Sequence, residues 1–211
     1  MAEMTALIDG DILIYTVGHS TNGVPLRNAE QRMGKTLENI LVASGALDYR
    51  VFLSPRGQIF RHRIATRKEY KGNRKDLVKP QWYDELREYL MVRQGAVMAV
   101  DEEADDLLGI EGVRMGEKAI ICTLDKDLDM IPGWKYNWKK QAITLTSRKD
   151  AKLAFWRQVL TGDATDNIPG VPGIGPGMAK KLFPAAVSPS DHWNMALMAY
   201  HMANLPEEAL V

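Results

Sequence analysis

The 211-residue chain has one cysteine, Cys122, so it can form no internal disulfide. A disulfide-stapled secreted scaffold is thereby excluded, and a reducing, cytoplasmic setting is expected. No apolar run reaches the ~18 residues that a membrane-spanning helix needs, so no membrane partner is expected. The opening stretch MAEMTALIDGD lacks the basic region of a signal peptide, and none is expected. The four histidines, His19, His62, His192 and His201, are scattered, which leaves no His/Cys set with zinc-ligand spacing. There is also no net charge, which taken alone speaks against a polyanionic partner.

The distribution of charge says otherwise. Arg56 to Lys75 carries eight Lys/Arg against one acid, Glu69, whereas Asp101 to Asp129 carries ten Asp/Glu against three Lys/Arg. A basic and an acidic segment in one protein can share a polyanion, one gripping it directly and the other through divalent metal.

Short apolar runs alternate with helical patterns, which predicts an α/β fold with a mostly parallel central sheet flanked by helices. TALID, YRVFLS, QIFRHRI, AVMAV and KAIICTL read as strands, and KYNWKKQAITLT as a hairpin. Helices are expected over about 34–44, from Pro80 to about Arg93, over EADDLLGIEGV and over KDAKLAFWRQVL. A boundary is expected near residue 160, where Gly/Pro punctuation begins. Three apolar strands end in acids: Asp9, the Asp101–Glu103 cluster and Asp125. In open α/β sheets the ligand site lies beyond the carboxyl ends of the strands, so acids far apart in sequence can converge there.

The acids at issue are Asp9, Glu103, Asp105, Asp106, Asp125, Asp127, Asp163 and Asp166. Crowding them without counter-charge is unfavourable, because like charges raise each other's pKa. Mg²⁺ relieves this, since it prefers hard oxygen ligands and is commonly completed by substrate phosphate. GVPGIGPG follows directly, with Gly170, Gly173, Gly175 and Gly177. A tight glycine turn opening a helix near Met178 presents free N–H groups to phosphate, and Lys180 and Lys181 add charge. Such a turn grips duplex backbone without reading sequence, and its carbonyls can also hold a monovalent cation. AEQRMGKT, Ala29 to Thr36, approximates a P-loop, but no strand precedes it and EQRM favours helix, so no nucleotide cofactor is expected. The tryptophans of GWKYNWKK are read as hairpin packing.

LIDGDILIY, EYKGNR, EEADDLLG, TLDKDLDMI and GDATDNIPGVPGIGPG, in this order over about residues 6–182, resemble the 5′→3′ exonuclease and flap endonuclease family, bacteriophage-type members in particular. The resemblance implies a PIN-like α/β nuclease core over 1–160. Over 161–211 it implies a reduced helix–three-turn–helix DNA-binding lobe. It implies hydrolysis of DNA at 5′ ends or 5′ flaps with two Mg²⁺ ions, for which Mn²⁺ can substitute, releasing 5′-phosphate and 3′-hydroxyl products. The eight acids would be metal ligands. Tyr70, Lys71 and Arg74 would meet the 5′ end and the reacting phosphate, with Tyr70 stacking on a terminal base. Arg67, Lys68, the four glycines and the lysine pair would bind duplex, with K⁺ at the glycine turn. A replication partner is expected, and the host cytoplasm if the chain is phage-encoded. Three departures stand out: Ser54 at a position usually held by a metal-binding Asp, Thr16 after Tyr15 where Arg is common, and Gly177-Met178 where Lys-Thr is common. A non-catalytic DNA-binding module and a PIN-type ribonuclease stay open as alternatives.

Overall fold

The computed structural model describes residues 3–74 and 77–183. The chain divides into two compact units, Met1–Arg61 with Leu77–Arg148, and His62–Asp76 with Lys149–Val211.

The first unit is built on a six-stranded sheet. Its strands are β1 (Thr5–Asp9), β2 (Asp48–Leu53), β3 (Val97–Met98), β4 (Ala119–Cys122), β5 (Gly133–Asn137) and β6 (Ala142–Thr146), in the order β3-β2-β1-β4-β5-β6. Every neighbouring pair is parallel except β5–β6, the expected hairpin. Alternation along the strands sends side chains to two cores. Ala6, Ile8, Val51, Leu53, Ile120 and Cys122 pack against helices α1 (Gly10–Ser20), α2 (Leu26–Ser44) and α4 (Tyr83–Arg93). Leu7, Phe52 and Ile121 face α5 (Ala104–Met115) through Ala104 and Leu108. This covering of both faces is why the strands are apolar runs rather than alternating ones. Trp134 and Trp138 pack against the first of these cores, as read from the hairpin sequence. Ala29 to Thr36 lies inside α2, a continuous helix with no phosphate-binding loop.

β1 runs directly into α1. Asp9 closes the strand and caps the helix, its Oδ1 accepting the Ile12 N–H at 3.0 Å. A Cβ at Gly10 would meet the Phe52 carbonyl oxygen at 2.6 Å, so this junction requires glycine.

One expected strand is a helix. QIFRHRI contains α3 (Phe60–Ile64), a single turn. β2 pairs with β1 on one side and β3 on the other, so the sheet offers this stretch no partner there. The Phe60 N–H goes instead to the Asp101 carbonyl at 3.1 Å. A stretch of seven residues does not decide between strand and helix by itself. α2 begins at Leu26 rather than near 34, and α4 begins at Tyr83, whose N–H is held by the Pro80 carbonyl.

The second unit contains α6 (Arg148–Thr161) from its second residue on, a short hairpin of β7 (Gly162–Asp163) and β8 (Ile168–Pro169), the glycine-rich stretch and α7 (Pro176–Leu182). Leu153, Leu160, Val171, Ala179 and Phe183 form its core. Gly162 has φ +66°, and a Cβ there would lie 2.2 Å from the Gly170 nitrogen, so close backbone approach requires glycine at that crossing. The remainder of the expected DNA-binding lobe, from residue 184 onward, lies outside the described residues, as do Lys75, His192 and His201.

Candidate active site

In the first unit the parallel strands bring their carboxyl ends to one edge. Asp9 ends β1, Asp125 follows β4, and Glu103 precedes α5 after β3. Asp9 is 1% exposed. Its Oδ2 accepts the Thr123 hydroxyl at 2.8 Å, which ties β1 to β4, and its other oxygen accepts the Ile12 N–H. Both partners are neutral. Burial raises the Asp9 pKa to about 7, with the charges of Asp11 and Asp125 adding to the rise and the two hydrogen bonds opposing it. Asp125 donates its N–H to Thr123 Oγ1 and accepts the Asp127 N–H at 2.8 Å, so Thr123 and Asp125 order the turn that carries Asp127.

Glu103 is the N-cap of α5 and forms a capping box with Asp106, the reciprocal arrangement that satisfies two free N–H groups at a helix start. Asp106 also takes the Arg61 guanidinium in a fork, at 2.5 and 2.6 Å, and Arg61 stands 3.9 Å from Glu103. Asp105 and Asp106 lie in the first turn of the same helix.

Asp11 is an acid that the sequence reading left out. It lies in the first turn of α1, where burial raises its pKa; hydrogen bonds from Ser54 and the Arg87 charge oppose the rise, and Glu103 adds to it. Its Oδ2 accepts the Ser54 N–H at 3.0 Å, and Arg87, 3% exposed, stands 3.5 Å from Oδ1. The available signal was the Asp-Gly-Asp spacing itself, which places a second acid one helical step from a strand-end acid. Ser54 has a local task as well: its Oγ accepts the Ala104 N–H at 2.9 Å, at the start of α5.

In the second unit two turns are joined side by side. Asp166 accepts the Tyr70 hydroxyl at 2.8 Å and Arg74 Nη2 at 2.5 Å, with Lys71 Nζ at 3.8 Å. The backbone is stitched as well: Lys71 N–H to Asp166 O at 2.9 Å, Asn73 Nδ2 to Ala164 O at 2.8 Å, Arg74 Nε to Thr165 O at 3.1 Å and Asn167 Nδ2 to Glu69 O at 2.8 Å. Tyr70 is 5% exposed and edge-on to His62. Asp163 is buried and accepts the Thr165 N–H at 2.8 Å. Gly173, with φ +77°, Gly175 and Gly177 are exposed, and Gly175 is the N-cap of α7 with Pro176 at N1. Gly170 is half-buried against Thr161–Gly162, while Lys180, Lys181, Arg67 and Lys68 are exposed.

Thus Asp9 and Asp125 are linked through Thr123, with Asp127 following in the same turn, and Glu103 and Asp106 are linked through the helix cap. Tyr70, Lys71, Arg74 and Asp166 are brought together through the joined turns. Among the described residues, no three His, Cys, Asp or Glu side chains stand close enough to grip a metal ion. The donor chemistry of the first unit's edge is nonetheless that of a hard cation: carboxylates and hydroxyls, one of them a buried carboxylate with neutral partners and acidic neighbours. Cys122 is buried in β4, where burial pushes its thiol up to about 12, so it offers no thiolate.

No family model matches the chain. It is 33% identical over 114 residues to an exodeoxyribonuclease of Enterobacteria phage T3, covering 50% of this chain and 37% of that protein. It is 30% identical over 140 residues to the flap endonuclease Xni of Shewanella piezotolerans, covering 60% of this chain and 55% of that protein. The curated proteins it matches are named exonucleases and flap endonucleases. The chain therefore spans between about a third and two thirds of the length of the curated relatives it matches. The fold also matches solved structures. The phage T5 flap endonuclease, solved in a pseudo-enzyme-product complex with DNA and metal ions, matches at TM-score 0.71 and 16% identity, covering 95% of this chain and 86% of that one. Among the described residues no helix is long and apolar enough to cross a membrane.

Proposed function

We propose that this chain is a divalent-metal-dependent 5′-nuclease that hydrolyses DNA at 5′ ends or 5′ flaps, leaving a 5′-phosphate and a 3′-hydroxyl. One observation carries the reading: Asp9 is 1% exposed, hydrogen-bonded only by neutral donors, and charged against other acids. A structural role does not require a carboxylate there, and a bound cation removes the penalty. Mg²⁺ fits an all-oxygen donor set, and Mn²⁺ can substitute. Asp9, Glu103, Asp105, Asp106, Asp125 and Asp127 are the ligands assigned in the first unit, with Asp11 added to them. Asp163 and Asp166 have the same role in the second unit. When bound, divalent cations held by these groups would supply metal-activated water and charge neutralisation at the leaving oxygen.

The protein's own groups do the rest. Thr123 orients Asp9 and Asp125. Lys71 and Arg74 donate hydrogen bonds to the phosphate oxygens as negative charge builds on them. Tyr70 meets the 5′ end. Arg67, Lys68, Lys180, Lys181 and the N–H groups of the glycine turn hold duplex phosphates, and the turn's carbonyls hold K⁺. DNA is the substrate, a replication protein is the expected partner, and the cytoplasm is the expected location. The residues beyond 160 serve as the duplex-binding lobe.

The test is a purified chain given 5′-labelled flap and recessed duplexes with Mg²⁺ or Mn²⁺, and matching RNA in parallel. Cleavage of DNA that EDTA abolishes is expected. No cleavage with either ion overturns the proposal, and preferential cleavage of RNA moves it to the ribonuclease alternative. The spacing of the acids favours one second reading, a DNA-binding module without turnover. Under it, a variant with Asp125→Ala and Asp127→Ala binds DNA as well as the parent and has no activity to lose.

A further inference from the structure

We infer that Asp166 is an internal stand-in for phosphate: its carboxylate lies among Tyr70, Lys71 and Arg74 in the free protein, and an incoming DNA phosphate displaces it to reach those groups. The inference concerns the metal-free protein, before Asp166 takes the metal-ligand role proposed above, and it rests on the nuclease reading in taking DNA as the source of the phosphate.

Three observations support it. First, the partners are those that would bind a phosphate. Asp166 Oδ1 accepts Arg74 Nη2 at 2.5 Å, and Oδ2 accepts the Tyr70 hydroxyl at 2.8 Å with Lys71 Nζ at 3.8 Å. Guanidinium and ammonium donors recognise carboxylate and phosphate oxygens by the same charge-assisted bonds, so one anion can take the other's place. Second, the turns hold without the carboxylate. Lys71 N–H bonds the Asp166 carbonyl, Asn73 the Ala164 carbonyl, Arg74 Nε the Thr165 carbonyl and Asn167 the Glu69 carbonyl. Lys71 and Asn167 are both held at positive φ, 55° and 60°. Non-glycine residues stay in that region only where the surroundings over-determine them. The side chain of Asp166 can therefore swing away while the cations stay in place. Third, solvent reaches the cluster: the side chains of Arg74, Lys71 and Asp166 are 37%, 25% and 17% exposed. A phosphate can enter without unfolding anything.

The experiment measures binding of a 5′-phosphorylated hairpin duplex in EDTA, where nothing is cleaved, over a range of salt. Asp166→Asn is expected to bind about tenfold more tightly at low salt, with the slope of log K against log[salt] steeper by about 0.9, one added phosphate contact. Asp129→Asn, which removes one exposed acid elsewhere, controls for net charge and is expected to leave the slope unchanged. Arg74→Gln is expected to cost under about twofold in the parent but about tenfold in the Asp166→Asn background, because only there is the guanidinium free. The Arg74→Gln measurement in the parent needs no change at Asp166, so it tests the inference even if Asp166→Asn fails to fold. The inference is overturned if Asp166→Asn gains no affinity, if both aspartate variants shift the slope equally, or if Arg74→Gln alone costs tenfold. A parent that cleaves no DNA, beside an Asp166→Asn variant that tightens as expected, would defeat the nuclease reading and leave the stand-in intact.

Discussion

Asp9 and Asp166 are the same residue under opposite electrostatic regimes. At the sheet edge, Asp9 is buried among neutral donors and acidic neighbours, and its pKa is raised to about 7. In the joined turns, Asp166 is met by a guanidinium, an ammonium and a phenol. The first environment calls for a cation from outside. The second already contains cations, and its acid keeps them ordered. What a carboxylate does here follows from what surrounds it.

The largest effect is expected at the sheet edge. Asp9→Asn should lower Mg²⁺-dependent cleavage by about 10³-fold or more, several kcal/mol of lost charge stabilisation. It should also remove the rise in melting temperature that saturating Mg²⁺ gives the parent. An unchanged thermal response to Mg²⁺ would mean that the two regions do not differ as described.

Next comes the turn pair. Arg74→Gln with Mg²⁺ present should lower kcat by about 10²-fold, the usual cost of losing one donor to developing charge. KM should move far less, and a change confined to KM would contradict the assignment.

Two glycines then compare the regions as scaffolds. Gly10→Ala would push a Cβ against the Phe52 carbonyl oxygen at 2.6 Å, and Gly162→Ala against the Gly170 nitrogen at 2.2 Å. Each should cost about 2 kcal/mol or more in urea unfolding, the range for backbone strain and overpacking. Loss of Asp166-dependent behaviour is expected only with Gly162→Ala.

The smallest effect is a pH dependence without metal. The Asp9 carboxyl titrates at about 7 in the folded chain, against ~3.9 unfolded. Between those values the native state binds the extra proton, so parent stability falls as pH rises through this window. Asp9→Asn lacks that loss. Its melting temperature should rise relative to the parent's as pH goes from 5 to 8, read by thermal scans of both proteins across that range. A constant difference across the range would show that Asp9 does not titrate this way.

Much of the sheet was legible in the residues. β1, β2, β4 and the β5–β6 hairpin follow from apolar runs and β-branched residues, and Asp9 and Asp125 were visible as acids at strand ends. α3 was not legible, because a short stretch is told from a strand only by its partners, and β2, just before it, already pairs with β1 and β3. Asp11 was overlooked because its significance depends on Ser54 and Arg87, 43 and 76 residues away. The basic segment read as a phosphate grip, but nothing local shows that one of the acids expected to bind metal is already in its grasp.

The chain's own order of residues determined where strands end, which acids stand at those ends and where glycine permits close backbone approach, because these depend on neighbours a few positions apart. Only the tertiary structure decided which charge faces which. Tyr70 meets Asp166 across 96 residues and Thr123 meets Asp9 across 114. Coulomb energy and hydrogen bonding depend on distances in space, and chain position does not specify those until the sheet is paired and the turns are joined.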